Sequence, residues 1–411
     1  MIRMELKKAF CHLYVIPLIA VLIVALWSMK QNQEYLSYYD YEQEVIDELQ
    51  ENGFSKLDEN AITYIYDDIE KTIDPVYAEI LTQIPFFQNN EITTRESFIT
   101  WRDNFVVDSP EKSNEFNALN DQIHNLFNED EEKYRVYWKY QIYTNWLTTI
   151  DLYKKSDAND IAELFYDDVL YQNSFLTQAE YDLIQKKLDE HAWQILVTNA
   201  RADLVSDFWK TVILFLLASV FVILGPYFAY DRFQDMTGTL YTTKQGRRIR
   251  ILHMKTALIS GAVLYLFWVI PLGSLYAYIY RLPHYWNMPV SSILCYQFCW
   301  NDVSFGTYYL MHALLALCAL LISIPAVYGI VQITRNYVSL FLLSVPAVWL
   351  LYVLCAVIPL SGPVLNIRNV CSQILHIPFS EYIYSTIMIL IMVGSLLYYL
   401  KKTEKTDFFD V

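Results

Sequence analysis

Residues 235–255 hold the densest group of side chains in this sequence that could bind a charged partner, and they read DMTGTLYTTKQGRRIRILHMK. Gly238 permits a sharp turn of the backbone, and Thr239 can cap a short helix. Arg247 and Arg248 carry guanidinium groups, which form paired hydrogen bonds with carboxylates. The pattern predicts a turn and a short helix that contact an acidic surface on another molecule.

Motifs for catalysis, nucleotide binding and metal binding are absent from the sequence. There is no GxxxxGK[ST] phosphate-binding loop, no HExxH, no CxxC pair and no GxSxG nucleophile turn. The seven histidines are scattered without the spacing of metal ligands. We therefore expect this chain to be no enzyme and to hold neither a metal ion nor a cofactor.

Three of the six cysteines, Cys295, Cys299 and Cys371, lie in segments predicted to face outward, where oxidation is possible. Residues four apart on a helix are neighbours, but their Cα separation only borders the range that a disulfide accepts. A disulfide between Cys371 and either Cys295 or Cys299 is a further hypothesis. The sequence leaves these alternatives open.

Apolar runs long enough to cross a bilayer occur in six places. They are roughly 9–28, 211–230, 256–280, 307–333, 339–360 and 382–400. None contains Asp, Glu, Lys or Arg, and their only histidines are His12, at the start of the first run, and His312. Because ion-coupled carriers usually keep ionisable groups inside their spans, the energy for any transport is expected to come from outside the membrane.

The first run has two interpretations. A basic start and an apolar middle are typical of a signal peptide. However, the run is longer than the usual core of about 7–15 residues, and Trp27-Ser28-Met29-Lys30 is a poor cleavage site. We favour a retained span, preceded by a short interfacial helix in MIRMELKKAF.

Cations predict the orientation of the chain. With six spans both termini share one side, and 13 Lys and Arg residues fall on that side, against only Arg281 and Arg368 in the short opposite loops. The positive-inside rule then places both termini in the cytoplasm of a multi-pass cell-membrane protein and residues 29–208 outside the cell. Membrane-interface anchors are expected at Lys7, Lys8, Lys255, Lys401 and Lys402.

Residues 29–208 form a separate, acidic block. They hold 14 Lys and Arg against 37 Asp and Glu, a formal charge of −23, whereas the remainder carries +8. The block contains a single glycine, Gly53, which disfavours a turn-rich β domain and predicts helices. The fold class is therefore an all-α membrane protein, with six transmembrane helices and a mainly helical extracellular domain between spans one and two.

Local signals place several helix ends in this acidic block. Thr177 and Glu180 have capping-box spacing, and Ser109-Pro110 is typical of an N-cap followed by proline. From Thr177 onward no strong stop signal precedes Gly225, so one continuous helix is predicted there. A second continuous helix is predicted from the first span to about Leu49.

Residues 235–255, which we call the polar loop, resemble the loop between the second and third spans of type-2 ATP-binding-cassette exporter permeases. In that family an acidic residue precedes Gly-Thr-Leu, followed by small hydroxyl residues, a basic residue and a lysine before the next span. Here these are Asp235, Gly238-Thr239-Leu240, Thr242-Thr243, Arg247-Arg248 and Lys255. Asp235 stands where Glu is usual, and the proline common after the hydroxyl residues is missing. The six-span layout and the start ELKKAF are also similar to this family.

The resemblance implies that residues 231–255 form a coupling loop within a membrane domain, 209–411. Its contact with a separate ATPase subunit would involve Asp235, Gly238, Thr239, Leu240, Arg247 and Arg248. ATP and its magnesium ion would bind that partner, and a second permease copy or a homologous permease would complete the pore. For Arg250 and Lys255, simple attraction to anionic lipid is an equal alternative. No nucleic-acid partner is expected.

The leading functional hypothesis is the membrane-spanning permease subunit of an ATP-driven exporter. Residues 1–28 would supply the interfacial helix and first span, and residues 29–208 the extracellular domain. The charge of that domain suggests a cationic or antimicrobial peptide as one possible substrate, beside lipid-like molecules. The alternative is a membrane sensor or scaffold that transports nothing and binds a ligand through its extracellular domain.

Overall fold

We describe the chain from a computed structural model. The described residues are 2–10, 12–31, 37–54, 56–160, 177–190, 200–233, 246–280, 282–290, 299–301, 303–362, 364–367 and 369–406. Within these ranges the secondary structure is helical, apart from two isolated β-bridges, Pro289 with Ser304 and Cys299 with Asn366. The prediction of an all-α chain is confirmed for this part of the protein.

The helices are numbered here in chain order. The first group comprises α1 (Ile2–Ala9), α2 (His12–Gln31), α3 (Ser37–Glu51), α4 (Glu59–Asp68), α5 (Asp74–Gln83), α6 (Pro85–Asn89), α7 (Arg95–Asn104), α8 (Pro110–Asn128) and α9 (Glu131–Lys155). The second group comprises α10 (Gln178–Asp189), α11 (Ala200–Phe233), α12 (Gly246–Ile279), α13 (Leu282–Tyr285), α14 (Phe305–Ile333), α15 (Tyr337–Tyr352), α16 (Val370–Leu375) and α17 (Ser380–Thr406). A π-helical turn, Ile69–Ile73, joins α4 to α5, and another, Val353–Val357, extends α15.

Five helical segments among the described residues are long and apolar enough to span a membrane. They are Val205–Tyr230, Ile251–Ile279, Phe305–Ile333, Tyr337–Val357 and Ser380–Tyr398. They match the second to sixth predicted runs, so the chain has the helices of a multi-pass membrane protein. In α2 the apolar stretch Ile16–Met29 is shorter, and a sixth span is therefore not confirmed.

The chain divides into two compact units. The membrane unit comprises Met1–Gln33, Phe165–Lys187 and Asn199–Val411, and the second unit comprises Glu34–Leu164 and Leu188–Thr198. The second unit corresponds to most of the predicted domain 29–208. The bounds differ at both ends, because residues 29–33, 165–187 and 199–208 belong to the membrane unit instead.

The long helix α9 supplies eight buried residues to the second unit. Tyr143 and Trp146 from α9 are almost fully buried, as are Ile46 and Leu49 from α3. Its edge-to-face aromatic pairs include Tyr77 with Tyr140, whose ring centroids lie 5.2 Å apart. Aromatic side chains bury large apolar areas, so these rings stabilise the core of the second unit.

Ion pairs connect α9 to its neighbours within the second unit. Lys139 Nζ lies 2.8 Å from Glu48 of α3 and 2.7 Å from Asp68 of α4, and its side chain is only 15% exposed. The hydroxyl of Tyr64 donates to Glu48 at 3.0 Å. Burial, followed by this bond to a carboxylate, raises the pKa of Tyr64 to about 12. Lys139 therefore neutralises two acidic groups that are partly removed from water.

The predicted caps are confirmed. Ser109 Oγ accepts from Lys112 N at 3.2 Å, ahead of Pro110. Thr177 N donates to Glu180 Oε2 at 2.8 Å, while Glu180 N lies 3.4 Å from Thr177 Oγ1. These reciprocal bonds satisfy amide groups that have no partner inside the helix.

The predicted continuous helix from Thr177 to Gly225 is wrong. α10 ends at Asp189 and Glu190 lies in a turn, where the chain passes from the membrane unit to the second unit. The sequence contains no glycine or proline there, so this helix end has no local signal. The other predicted continuous helix crosses residues 32–36, which lie outside the described residues, but α3 does end at Glu51, close to Gly53 with its φ of 87°.

Hydrogen bonds connect three helices inside the membrane unit. Trp268 Nε1 of α12 donates to Ser219 Oγ of α11 at 2.8 Å. Tyr265 of α12 donates to the Ala313 carbonyl of α14 at 2.9 Å, and Tyr309 of α14 donates to the Gly273 carbonyl of α12 at 2.9 Å. Such bonds contribute about 0.6 kcal/mol each on average in membranes. α11, α12 and α14 are thus fixed to one another at several depths.

Gly306, at the start of α14, lies directly against the ring of Trp286. We expect Gly306→Ala to lower the free energy of unfolding by about 1–3 kcal/mol, because overpacking forces the surroundings to move. An added Cβ would lie 2.3 Å from Trp286 Cε2, too close for two carbon atoms that are not bonded to each other. Thermal unfolding of the full chain in detergent measures the effect. Gly394→Ala is the control, since nothing lies within 4 Å of its Cβ position, and equal losses in both variants would contradict the prediction.

Candidate functional site

Helix α1 packs onto the ends of α11 and α12 that flank residues 234–245. Ala9 is buried on the packed side, whereas Met4 is 70% exposed. Lys7 and Lys8 are also exposed, as predicted for membrane-interface anchors. The arrangement agrees with a helix that lies along the membrane surface and contacts the bundle on one side.

Glu5 connects α1 to both neighbouring helices. Its Oε2 atom accepts a hydrogen bond from the Tyr227 hydroxyl of α11 at 3.1 Å and lies 3.7 Å from His253 Nε2 of α12. Its Oε1 atom lies 3.2 Å from Lys8 Nζ. The side chains of Glu5 and His253 are only 15% and 11% exposed. One carboxylate thus joins three helices at a single point.

Aromatic contacts surround this carboxylate. The rings of Tyr227 and His253 lie 5.6 Å apart, and Lys8 Nζ lies 5.5 Å from the ring centroid of Tyr230. We call Glu5, Lys8, Tyr227, Tyr230 and His253 the α1 anchor cluster. Because hydrogen bonds to charged groups are about twice as strong as neutral ones, the cluster fixes α1 to the two helices more firmly than apolar contact alone.

We expect Glu5→Ala to release α1 from the bundle while leaving the five spans folded. Loss of the carboxylate removes the bond from Tyr227, at a cost of about 1–2 kcal/mol for this partly exposed cluster. Hydrogen exchange of the amides of residues 3–10 should become about 5–30-fold faster. Lys7→Ala is the control, because Lys7 is exposed. Unchanged exchange after Glu5→Ala would contradict the role of this cluster.

The predicted coupling residues Asp235, Gly238, Thr239 and Leu240 lie outside the described residues. α11 ends at Phe233 before them and α12 begins at Gly246 after them. The ring centroids of Phe233 and Tyr337 lie 4.9 Å apart, so the start of α15 is at this same end of the bundle. We call it the basic end of the membrane unit.

Arg247 and Arg248 occupy the first turn of α12, directly after Gly246. Cations are unfavourable at this position, because the amide groups of a helix N-terminus already carry partial positive charge. Lys255, two turns further along α12, is exposed.

The other predicted anchors, Lys401 and Lys402, lie near the end of α17, after the apolar part of that helix ends at Tyr398. This position in the helix agrees with an interfacial location.

Cys299 and Cys371 are both buried at the opposite end of the membrane unit. The thiol of Cys299 lies 3.9 Å from the Val364 carbonyl oxygen. Burial, together with the nearby carboxyl of Glu381, raises the pKa of Cys371 to about 12. No disulfide joins Cys299 to Cys371 in the described part of the chain. Cys295 lies outside it, and the proposed disulfide stays a prediction.

Glu381, in the first turn of α17, is fully buried. The predicted run 382–400 began one residue too late to include it, so the inference that the spans lack acidic residues is wrong. Its Oε1 atom accepts from Leu365 N at 3.0 Å, and Ser380 Oγ lies 3.5 Å from Oε2. Leu365 has a φ of 65°, which is unfavourable for a leucine and requires firm support from its surroundings.

A second polar contact at this end joins α10 to the segment before α17. Glu180 Oε1 lies 3.2 Å from His376 Nδ1, and Glu180 is buried. Deeper in the bundle, His312 of α14 lies 3.4 Å from Ser206 Oγ of α11 and 3.0 Å from the Tyr308 carbonyl oxygen. These contacts account for His312 as a structural residue. Among the described residues, no group of three His, Cys, Asp or Glu side chains could hold a metal ion.

Comparisons of the chain with protein-family models, with curated proteins and with solved structures find no match. The assignment to a protein class therefore rests on the length and the apolar composition of the helices. The chain is a multi-pass membrane protein. Its candidate site is the basic end, where the α1 anchor cluster joins the two helices that enclose the polar loop.

Proposed function

We propose that this protein is the permease subunit of an ATP-driven exporter and that a separate chain hydrolyses the ATP. The resemblance of residues 235–255 to the loop of these permeases supports the proposal, which places ATP binding on a partner because this sequence has no phosphate-binding loop. The observation that carries the proposal is the α1 anchor cluster. It makes α1, α11 and α12 one mechanical element around the loop that the partner would contact.

The contacts inside the membrane unit suggest how a displacement of the loop would be transmitted to the helices. A force on residues 234–245 acts on the ends of α11 and α12. Glu5 keeps α1 attached to both, and the bonds from Trp268 and Tyr265 pass the displacement on to α11 and α14. Close packing adds to this, because a Cβ on Gly261 of α12 would lie 3.0 Å from Ile324 of α14. The three helices are therefore expected to tilt together.

The substrate is expected to be gathered outside the cell or released there. The predicted extracellular block carries a formal charge of −23, which attracts cationic molecules over about 8–10 Å in physiological salt. A cationic peptide is accordingly our candidate, with a lipid-like molecule as the second. Binding of such a peptide to the full chain should weaken as salt is raised. Absence of binding at low salt would remove the peptide from consideration.

Purification of the full chain from its own cells tests the proposal. A stoichiometric partner with a phosphate-binding loop should accompany the wild-type chain and be lost from Asp235→Ala and Gly238→Trp. Tyr278→Ala is the control, because Tyr278 is exposed at the end of α12 that lies away from this loop. A pure chain without any ATPase would contradict the exporter and favour the sensor or scaffold.

A further inference from the structure

A groove lies between α14, α15 and α17 on the membrane unit. It encloses about 460 Å³, which is within the range of about 300–1,000 Å³ typical of ligand sites. Gly329 and Ile333 line it from α14, Ala347 from α15, and Met388 and Met392 from α17. All these helices are candidate spans, so the groove lies at the depth of the lipid hydrocarbon.

The groove is open because the side chains around it leave its floor uncovered. Apart from the backbone of its own helix and its chain neighbours, nothing lies within 4 Å of the position where Gly329 would carry a Cβ. Ile333 is 71% exposed and Leu350, also in the lining, is 58% exposed. Apolar cavities do not hold water, so inside a membrane hydrocarbon must fill this space. The occupant is an acyl chain or a helix from another protein.

The length of the groove favours an acyl chain. The lining runs along α14 from Pro325 to Ile333, a distance of roughly 12 Å at the usual rise of about 1.5 Å per residue. This length is close to the hydrocarbon thickness of one leaflet, since the hydrocarbon core of both leaflets together is about 30 Å thick. A packed transmembrane helix would need a longer surface. Met388 and Met392 also suit a flexible ligand, because methionine adapts its shape.

Charge selects the class of lipid. Arg335 follows Ile333 by two residues at the basic end, is exposed, and its side chain makes no ion pair within the described part of the chain. On α17, Lys401 lies five residues beyond Leu396 of the groove lining, about 7–8 Å further along the helix. Both residues lie at the depth of the lipid phosphates, and a cation at that depth attracts anionic lipid.

We propose that this groove binds an acyl chain of an anionic phospholipid from the leaflet at the basic end. The lipid tail occupies the space over Gly329, and the head group pairs with Arg335. Binding depends on close packing and on charge, because lipid tails are as apolar as the groove itself. The proposal does not depend on an ATPase partner, so either idea can fail alone.

Native mass spectrometry of the full chain in detergent tests the site, with phosphatidylglycerol and phosphatidylcholine of identical acyl chains as probes. The wild-type chain should retain phosphatidylglycerol in preference. Gly329→Leu should lose the retained lipid, because leucine fills the groove. Gly394→Leu should keep it, since position 394 is equally open but outside the groove lining. Thermal unfolding of both variants confirms that they fold.

A second variant tests the head group without filling the groove. Arg335→Gln should reduce the preference for phosphatidylglycerol about fivefold, the effect of about one cation near the membrane surface. Equal retention by Gly329→Leu and Gly394→Leu would overturn the proposal, as would equal retention of the two lipids by the wild type. Loss of a dimer in Gly329→Leu with unchanged lipid would instead assign the groove to a second copy and overturn it too.

Discussion

Lys139→Met is expected to lower the free energy of unfolding of the second unit by about 3–5 kcal/mol. The substitution leaves Glu48 and Asp68 without their shared cation, and the Asp68 side chain is only 12% exposed. Removing one partner of a buried ion pair costs more than the pair contributes, because the remaining charges lose both water and counter-ion. Chemical unfolding of the full chain, followed by tryptophan fluorescence, measures the change.

Lys133→Met is the matched control on the same helix. Lys133 Nζ lies 2.6 Å from Glu79 Oε1, but that carboxylate is 55% exposed, so its charge remains solvated after the substitution. Exposed pairs contribute about 0–1 kcal/mol. If Lys133→Met destabilised the unit as much as Lys139→Met, burial would not explain the role of Lys139.

Glu381→Ala is expected to lower the stability of the membrane unit by about 2–4 kcal/mol. The change removes the acceptor for Leu365 N and leaves that buried amide without a partner, at a cost of about 1–3 kcal/mol beyond the lost bond itself. The carbonyl oxygen of Leu365 also accepts a hydrogen bond from Trp300 N at 2.9 Å. Thermal unfolding in detergent, with hydrogen exchange of residues 364–375, reports the loss of this segment.

Glu381→Gln separates the hydrogen bond from the charge. The amide oxygen of glutamine can accept from Leu365 N, so this variant should keep most of the stability. A loss equal to that of Glu381→Ala would show that the negative charge itself, and not the acceptor, supports the segment.

The helices were largely predictable from local sequence because their signals are local. Runs of apolar residues predicted the five helices that are long and apolar enough to span a membrane. The cap at Ser109 followed from the proline after it, and the cap at Thr177 followed from Glu180 three residues later. The end of α10 at Asp189 was not predictable, since no residue there disfavours a helix. It depends on the passage of the chain from one unit to the other, which is a property of packing.

The candidate site was only partly predictable. The basic residues of the loop were evident, and Lys7 and Lys8 are exposed as expected. The role of Glu5 was missed, because Tyr227 and His253 are more than 200 residues away in sequence. A weak signal existed, since an acid within the basic start of the chain needs a cation or hydrogen-bond donor when it is partly buried.

Glu381 was missed for a simpler reason. An apolar run is recognised from its centre, and its boundary has an uncertainty larger than one residue. Its contacts with Leu365 and Ser380 indicate a structural role, so its presence does not by itself suggest an ion-coupled carrier. The proposal of an external energy source therefore rests on the loop and the α1 anchor cluster.

Photo-crosslinking from position 240 in native membranes tests the central proposal most directly. A photoreactive residue in place of Leu240 should capture a single protein, and mass spectrometry should identify in it a phosphate-binding loop of the GxxxxGK[ST] type. The same residue in place of Tyr278, which is 76% exposed at the far end of α12, should not capture that protein. Capture of an ATPase at position 240 alone is the predicted result. Labelling of position 240 from the cell exterior, or its failure to capture any ATPase, would contradict the account.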